Sequence, residues 1–207
     1  MKRIASLLLV AAAFAACGTP KEEAKAPETA GPSAIETIMT RKSVRAYTDE
    51  KLTNEEIETL LRAAMAAPTG MNLQPWRFVV VTDQAVKDAM QGERRGPRAM
   101  YSDCAAIFVV CGETMFTGRD GQQIENGNWT ADCAAATENL LLAAHAMGLG
   151  AVWTACYPYE ERMNLAIEVL GIPEGVTPYA IVPVGHPAED PDVKDKWKPE
   201  NIHYEKW

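Results

Sequence analysis

No extended block of lysine or arginine is present in this 207-residue chain, in which 20 basic residues stand against 28 acidic ones. Nucleic-acid binding depends on a clustered positive surface, so nucleic acid is excluded as an expected partner. The formal net charge of -8 indicates solubility and little more. Apolar residues make up 47% of the chain, which is the composition of one ordinary globular domain.

Metal-binding and dinucleotide-binding motifs are also missing. No CxxC pair occurs, and the three histidines (His145, His186 and His203) are far apart in the sequence, so a metal site is not expected. The glycines of Gly148-Leu149-Gly150 lack the GxGxxG spacing and do not follow a predicted strand. This pattern excludes a Rossmann-type dinucleotide site.

The four cysteines that follow the N-terminal region are Cys104, Cys111, Cys133 and Cys156. An exported protein can pair such residues in disulfides. Cys104 and Cys111, however, flank one apolar strand at an odd spacing, so we expect them on opposite faces of a sheet and unable to bridge each other. Buried thiols are the favoured interpretation, and disulfides are the alternative.

The N-terminal apolar run over residues 4–16 is too short to cross a bilayer. It follows a basic start and ends at Cys17 in a sequence that resembles a bacterial lipobox. Residues 1–17 are therefore predicted to be a lipoprotein signal peptide with a diacylated Cys17; an ordinary secretion signal is the alternative. Residues 18–33 cannot bury enough apolar surface to become ordered and are predicted to be a flexible tether. The tether would connect a domain over 34–207 to a membrane of the bacterial cell envelope.

Helical and strand patterns are interspersed along this domain. Thr53-Asn54-Glu55-Glu56 has the form of a capping box and opens an amphipathic helix that Pro68 ends. The other predicted helices cover 34–40, 84–90, 130–147 and 159–170, and the predicted strands cover 77–82, 105–111, 151–154 and 179–184. This mixture predicts an α+β or α/β sheet covered by helices. The remaining segments are a polar loop over 92–97, a stretch over 112–128 expected to close over a site, and a tail over 185–207 expected to wrap around a neighbouring subunit.

A basic segment, Arg41-Lys42-Ser43-Val44-Arg45, follows the first helix. In an extended chain Arg41, Ser43 and Arg45 share one side, since alternate residues face the same way. Two guanidinium groups beside a hydroxyl favour a phosphate and polyol site. On spacing alone, the more economical interpretation is a basic cluster that complements the dipole of the preceding helix.

Two further motifs lie between helices and strands. The first is Ala67-Pro68-Thr69-Gly70-Met71-Asn72-Leu73-Gln74-Pro75-Trp76, in which Asn72 is expected to bond the edge of a planar heterocycle and Trp76 to pack in the core. Ordinary loop chemistry accounts equally well for its proline and glycine. The second, Gly148-Leu149-Gly150-Ala151-Val152-Trp153-Thr154-Ala155-Cys156, is by itself typical of a helix end that leads into a strand.

Taken together, in this order and spacing, the three segments resemble the nitroreductase family of flavoproteins over residues 35–207. The sequence Val184-Gly185-His186-Pro187 and a tail that ends in tryptophan add to the likeness. The resemblance implies a nitroreductase-like α+β fold, with a central, mostly antiparallel sheet flanked by helices in three layers. It also implies FMN as the cofactor, bound at the interface of a domain-swapped homodimer.

The resemblance also assigns residues to the cofactor. The groups expected to hold the phosphate, ribityl chain and ring edge are Arg41, Lys42, Ser43 and Arg45. Thr69 and Asn72 would reach the isoalloxazine ring from a second direction. Three residues match positions at which family members approach the flavin N5 side with backbone amides: Thr154, Ala155 and Cys156. The family tail commonly supplies an arginine to the phosphate, and the matching positions here are Lys194 and Lys196, which replace a bidentate contact by a point charge.

The implied activity is that of an oxidoreductase in which the flavin does the redox chemistry. A small-molecule donor would reduce FMN and leave, and a small acceptor (a nitroaromatic, a quinone or a related compound) would then enter the same face. Arg45 is a candidate to stabilise the reduced flavin electrostatically. NAD(P)H is the expected donor in vitro, although a lipoprotein beyond the inner membrane meets little of it. A flavin-binding envelope carrier or electron-relay protein without nicotinamide turnover is the alternative.

Overall fold

The computed structural model of the protein describes residues 31–92 and 99–207. Its helices are α1 (Ala34–Thr40), α2 (Asn54–Met65), α3 (Gln84–Gln91), α4 (Met100–Asp103), α5 (Trp129–Ala146) and α6 (Glu160–Leu170), with short 3-10 turns over Gly70–Asn72 and Pro199–Asn201. Its strands are β1 (Trp76–Val81), β2 (Ala106–Glu113), β3 (Met115–Thr117), β4 (Gln123–Glu125), β5 (Gly150–Ala151), β6 (Thr154–Ala155) and β7 (Val176–Gly185). The predicted signal peptide over 1–17 with Cys17, most of the predicted tether over 18–33, and most of the predicted loop over 92–97 lie outside the described residues.

Helix ends follow local side-chain chemistry. The capping box predicted at the start of α2 is confirmed: Glu56 N–H donates to Thr53 Oγ1 at 3.2 Å, and Thr53 N–H donates to Glu56 Oε2 at 2.7 Å. At the other end of the domain, α6 stops at Gly171, whose φ of 64° is left-handed and therefore favours glycine. These ends fix which residues turn inward.

The main sheet is antiparallel at every described pairing. Its strand order is β1-β2-β7-β5, and β6 pairs with β7 beside β5. β2 and β7 form the centre, and seven consecutive residues of β2 are buried, as expected of a strand covered on both faces. The predicted α+β fold with a mostly antiparallel sheet is confirmed.

Alternation along β2 divides the core into two layers. Ala106, Phe108 and Val110 face a cluster that includes residues of α2 and α5, whereas Ile107 and Val109 face a cluster that includes residues of α3 and α6. The helices therefore cover both faces of the sheet in a three-layer arrangement. The predicted core position of Trp76 is confirmed, because its side chain is buried in the first cluster.

Three expectations need correction. The strand predicted over 151–154 is two two-residue strands, β5 and β6. The stretch over 112–128 contains a hairpin of β3 and β4, whose short, exposed strands leave no alternating apolar pattern in the sequence. Cys104 and Cys111 share the second apolar cluster instead of facing opposite sides, because Cys104 follows α4 and precedes the strand, so strand alternation does not apply to it.

The four described cysteines are buried and are not joined in disulfides. Within residues 31–92 and 99–207, no helix has the length and hydropathy needed to span a membrane. In the same residues, the acidic, histidine and cysteine side chains form no group suited to hold a metal ion.

Candidate functional site

A cavity of about 210 Å³ opens between the segment that follows α1 and the C-terminal tail. Its lining joins six of the residues predicted from the sequence: Arg41, Lys42, Ser43, Arg45, Lys194 and Lys196. Asp192 is the one carboxylate in the lining among the described residues. Five cations around one carboxylate make the cavity an anion site by charge.

Val44 explains how the basic segment is held. Its side chain is buried, its N–H donates to Ala151 O at 3.0 Å, and its carbonyl accepts from the hydroxyl of Tyr47 at 2.7 Å. A Cβ on Gly150 would lie only 2.6 Å from Val44 Cγ1, so the glycine is what allows this close approach. Since Val44 points into the core, its neighbours face the cavity. Lys42 also lines the cavity. The expected alternation, with only Arg41, Ser43 and Arg45 on one side, therefore does not hold strictly.

Acidic side chains surround this cluster from outside. Arg41 Nε lies 3.3 Å from Glu138 Oε1 of α5, and Lys42 Nζ forms an ion pair with Asp190 of the tail. The N–H of Arg45 donates to Glu189 Oε1 at 2.7 Å. These contacts orient two of the cations and reduce their net field.

His145 of α5 lies near the basic segment, where it contacts Thr40. Desolvation, and then the charges of Lys42 and Arg41, lower the pKa of His145 below its usual range. Thr40 Oγ1 donates to the carbonyl of Glu36 at 2.7 Å, so His145 Nε2, 2.9 Å from that hydroxyl oxygen, is the donor in their contact. The lysines and arginines of the cavity lining supply its positive charge.

The loop with Thr69 and Asn72 lies at the N-terminal turn of α5. Gly70 N–H donates to Asp132 Oδ1 at 2.9 Å. Within the loop, Gln74 N–H donates to Thr69 Oγ1 at 3.2 Å, and Gln74 Nε2 donates to Asn72 Oδ1 at 3.0 Å. The amide side chains of Asn72 and Gln74 are thus ordered at an exposed edge of the molecule.

The third predicted segment is tied to β7. Thr154 Oγ1 donates to Ile181 O at 2.6 Å and accepts from the hydroxyl of Tyr101 at 2.5 Å. Cys156 N–H donates to Tyr179 O at 3.0 Å, and its side chain is fully buried. The Cys156 amide is thus used inside the fold, and its side chain fills the core.

The structure does not bring all predicted residues to one place in a single chain. In the described part of the protein, the cavity wall does not include Thr69, Asn72, Thr154, Ala155 or Cys156. α5 separates the first two segments: Asp132 holds the loop and Glu138 holds Arg41, six residues or about 9 Å further along the helix axis.

Comparisons with known proteins identify the family to which this chain belongs. Residues 38–94 and 92–186 match the family described as "Nitroreductase family". The chain belongs to the nitroreductase family. A putative NADH dehydrogenase/NAD(P)H nitroreductase from Archaeoglobus fulgidus is 40% identical over 176 residues, which are 84% of this chain and 98% of that protein.

Solved structures of the family agree. A putative NADH dehydrogenase/NAD(P)H nitroreductase from Bacteroides thetaiotaomicron is 39% identical, with a TM-score of 0.76 over 86% of this chain and 99% of that one. A putative nitroreductase from Desulfovibrio desulfuricans, crystallised in complex with FMN, is 29% identical, with a TM-score of 0.67 over 85% of this chain and 98% of that one.

In this nitroreductase-family chain, sequence reasoning missed the acidic partners of the site. Glu138 and Asp132 lie in a helix whose apolar character predicts only burial, and Asp190 and Asp192 lie in a tail rich in acidic residues. No local pattern marks these acids, because Asp132, Glu138 and Asp190 meet their partners across long sequence separations. The one signal in the sequence is an aspartate near the start of a helix composed mostly of apolar residues.

Proposed function

We propose that this chain binds FMN and acts as an oxidoreductase that carries electrons from a small donor to a small acceptor. The observation that carries this proposal is the cavity lined by five cations and Ser43, which the first motif and the tail form together. Family membership supports it, since an FMN reductase (NADPH) from Bacillus subtilis is 30% identical over 83% of this chain and 72% of that protein.

The residues of the cavity fit the phosphate of FMN. Arg41 and Arg45 offer planar donor forks that match phosphate oxygens, and Ser43 offers a hydroxyl to phosphate or ribityl oxygens. Lys42, Lys194 and Lys196 add point charges. When bound, FMN supplies the redox chemistry, and the protein binds and orients it. No acid or base is required of the side chains around it.

A homodimer completes the proposed site. Because Thr69 and Asn72 lie away from the cationic cavity in one chain, we assign them to the flavin bound by the partner subunit, which is the shared arrangement that the resemblance implies. Ile35, Ile38 and Met39 form an exposed apolar stripe on α1, as expected of a surface that another chain covers.

The proposed acceptors are nitroaromatics, quinones or related compounds, and the proposed donor in vitro is NAD(P)H. Support comes from relatives: an oxygen-insensitive NADPH nitroreductase from Salmonella typhimurium is 27% identical over 83% of this chain and 72% of that protein. The β3–β4 hairpin, most of whose residues are exposed, is the segment we assign to acceptor selection.

The visible spectrum of the purified full chain tests the proposal. We expect flavin absorbance, and bleaching of that absorbance on anaerobic mixing with NADH or NADPH. Flavin that stays oxidised with both donors would indicate a carrier or relay protein. A colourless protein that stays colourless after incubation with excess FMN would refute flavin binding altogether.

Arg41→Ala supplies the residue-level test. It removes one fork from the cavity, so the affinity for FMN should fall by about 10- to 100-fold, while riboflavin, which has no phosphate, should bind as before. Arg62→Ala is the matched control, because Arg62 pairs with Glu58 on the exposed side of α2 and is not part of the cavity lining. Equal losses for FMN and riboflavin in Arg41→Ala would contradict the phosphate assignment.

We also propose that Cys17 is lipidated and that the enzyme is anchored in the cell envelope. The support is the sequence alone: a basic start, a short apolar run and small residues before Cys17. Mass spectrometry of the mature N-terminus tests it, and an unmodified Cys17 in mature protein would end this proposal.

A further inference from the structure

Asp132 is an unusual residue in the central helix. It lies in the first turn of α5, in a helix whose buried residues are mostly apolar, and only 5% of its surface is exposed. One carboxylate oxygen, Oδ1, accepts from Gly70 N–H at 2.9 Å. The other, Oδ2, is buried and has no hydrogen-bond partner among residues 31–92 and 99–207. Burying a carboxylate with one unpaired oxygen costs free energy of folding. We therefore expect the role of Asp132 to lie in the hydrogen bond that Oδ1 accepts.

The loop that Asp132 holds has a backbone conformation that is unfavourable for residues other than glycine. Met71, Asn72 and Gln74 have φ values of 52°, 55° and 51°, which is the left-handed region that side chains disfavour. Such a conformation persists only when surrounding contacts determine it. The bonds within the loop tie it to itself, and the bond from Gly70 to Asp132 ties it to α5.

Gly70 gives the contact its close geometry. A Cβ at this position would lie 2.9 Å from Asn128 Nδ2 and 3.4 Å from Asn128 Cβ, so a larger residue requires the Asn128 side chain or the loop to shift. The N-terminal turn of α5 therefore receives the loop through one close backbone approach and one charge-assisted hydrogen bond.

We propose that Asp132 is a positioning residue for flavin binding: through Gly70 it holds the 69–74 loop in the conformation that presents Thr69 and Asn72 to the isoalloxazine ring. This inference rests on the proposed FMN site, and it holds whether the loop serves its own chain or the partner. Asp132 itself does not touch the flavin.

The test measures flavin affinity in full-length apo-protein by quenching of flavin fluorescence. In Asp132→Ala, the loop loses its charge-assisted anchor, and we expect FMN and riboflavin affinities to fall by the same factor, about 10- to 100-fold. The factor should be the same for FMN and riboflavin, because the loop is proposed to contact the isoalloxazine ring, which both ligands have, and not the phosphate. Asp132→Asn keeps an oxygen acceptor for Gly70 N–H, so we expect its affinities to stay within about three-fold of wild type.

Thr137→Ala is the matched control, since Thr137 is a buried polar residue of the same helix whose hydroxyl donates to Cys133 O at 2.7 Å, one turn away within α5. We expect it to lower the Tm as much as Asp132→Ala does while leaving flavin affinity unchanged. Gly70→Ala, which places a Cβ against the Asn128 side chain beside the same hydrogen bond, serves as a second test, and we expect it to lower the affinity for both flavins in the same direction as Asp132→Ala.

Three results would overturn the inference. The first is wild-type flavin affinity in both Asp132→Ala and Gly70→Ala. The second is a loss in Thr137→Ala as large as that in Asp132→Ala, which would indicate general destabilisation. The third is an Asp132→Asn variant as weak as Asp132→Ala. A wild-type chain that binds neither flavin would instead refute the proposed function, so the two failures are distinguishable.

Discussion

Cys104, Cys111 and Cys133 show how burial changes single ionisable groups in this protein. Desolvation raises the pKa of each thiol from 9.0 to about 12. At neutral pH all three are therefore protonated and unreactive, although the chain is predicted to be exported to an oxidising compartment. Their role is packing: the Cys133 thiol lies where a Cβ on Gly112 would meet it at 2.9 Å.

These raised pKa values predict a loss of stability in alkali. Above pH 9 the unfolded chain releases thiol protons that the folded chain keeps, so the free energy of unfolding falls as pH rises from about 9 towards 12. At pH 10 the loss is about 1 kcal/mol per thiol. Urea unfolding at pH 8 and pH 10 measures it, and Cys133→Ala should show a drop smaller by about 1 kcal/mol than wild type. Equal drops in both proteins would contradict the assignment.

At the residue scale, the basic segment offered a local pattern to the sequence analysis, and the role of its residues toward a cofactor stays a prediction. The basic segment over 41–45 and the two tail lysines meet in one cavity because Val44 is apolar and turns inward. The acids that meet these cations were not predictable, because single charges far apart in the sequence give no spacing to interpret. For the same reason the partnership of Asp132 with Gly70 is visible only in the structure.

At the scale of elements, the tail acts as a strap across the basic segment. Tyr47 forms an isolated antiparallel bridge with Pro187, and Ala188 N–H donates to Ala46 O at 2.9 Å. From this attachment the chain carries Asp190 to Lys42, and then Asp192 and the tail lysines to the cavity. The strap thus brings both the cations that would bind phosphate and the acids that compete for them.

Asp190→Asn should therefore strengthen FMN binding. Removing this exposed carboxylate releases Lys42 for phosphate, and we expect a rise in FMN affinity of about two- to five-fold at low salt that vanishes at high salt. Asp195→Asn is the control: it has the same change in charge and lies in the same tail, but Asp195 is not in the cavity lining. An equal rise in both variants, or any rise for riboflavin, would show that the contact with Lys42 is not the cause.

How well helices and strands could be predicted from the sequence depended on the length of each element. Helix α2 and strand β2 were predicted to within a few residues, because α2 has a capping box and an apolar pattern over several turns, and β2 is a long, continuous apolar run. The hairpin of β3 and β4 was missed, because strands of three mostly exposed residues bury too little to show a period. Likewise the split of β5 from β6 depends on pairing to β7, which the sequence of one segment does not contain.

At the scale of the whole molecule, exposed apolar surface lies where a partner is expected. On α1, Ile35, Ile38 and Met39 are 71%, 55% and 69% exposed, whereas Thr37 on the opposite side is buried. The tail ends in Trp207, which is fully exposed. One chain leaves these groups in water, and it also leaves the loop over 69–74 outside the cationic cavity. The two-fold dimer that we propose would account for both features.

Ile38→Glu tests this dimer, because a charge in the α1 stripe opposes its burial against a second chain. Light scattering should give a dimer for wild type and a monomer for Ile38→Glu, and the monomer should bind FMN at least about 10-fold more weakly, since it lacks the partner's loop. Ile38→Leu keeps the apolar stripe and should remain a dimer with wild-type affinity. A wild-type monomer that retains FMN, or a monomeric Ile38→Glu with undiminished affinity, would mean that each chain forms a complete site alone.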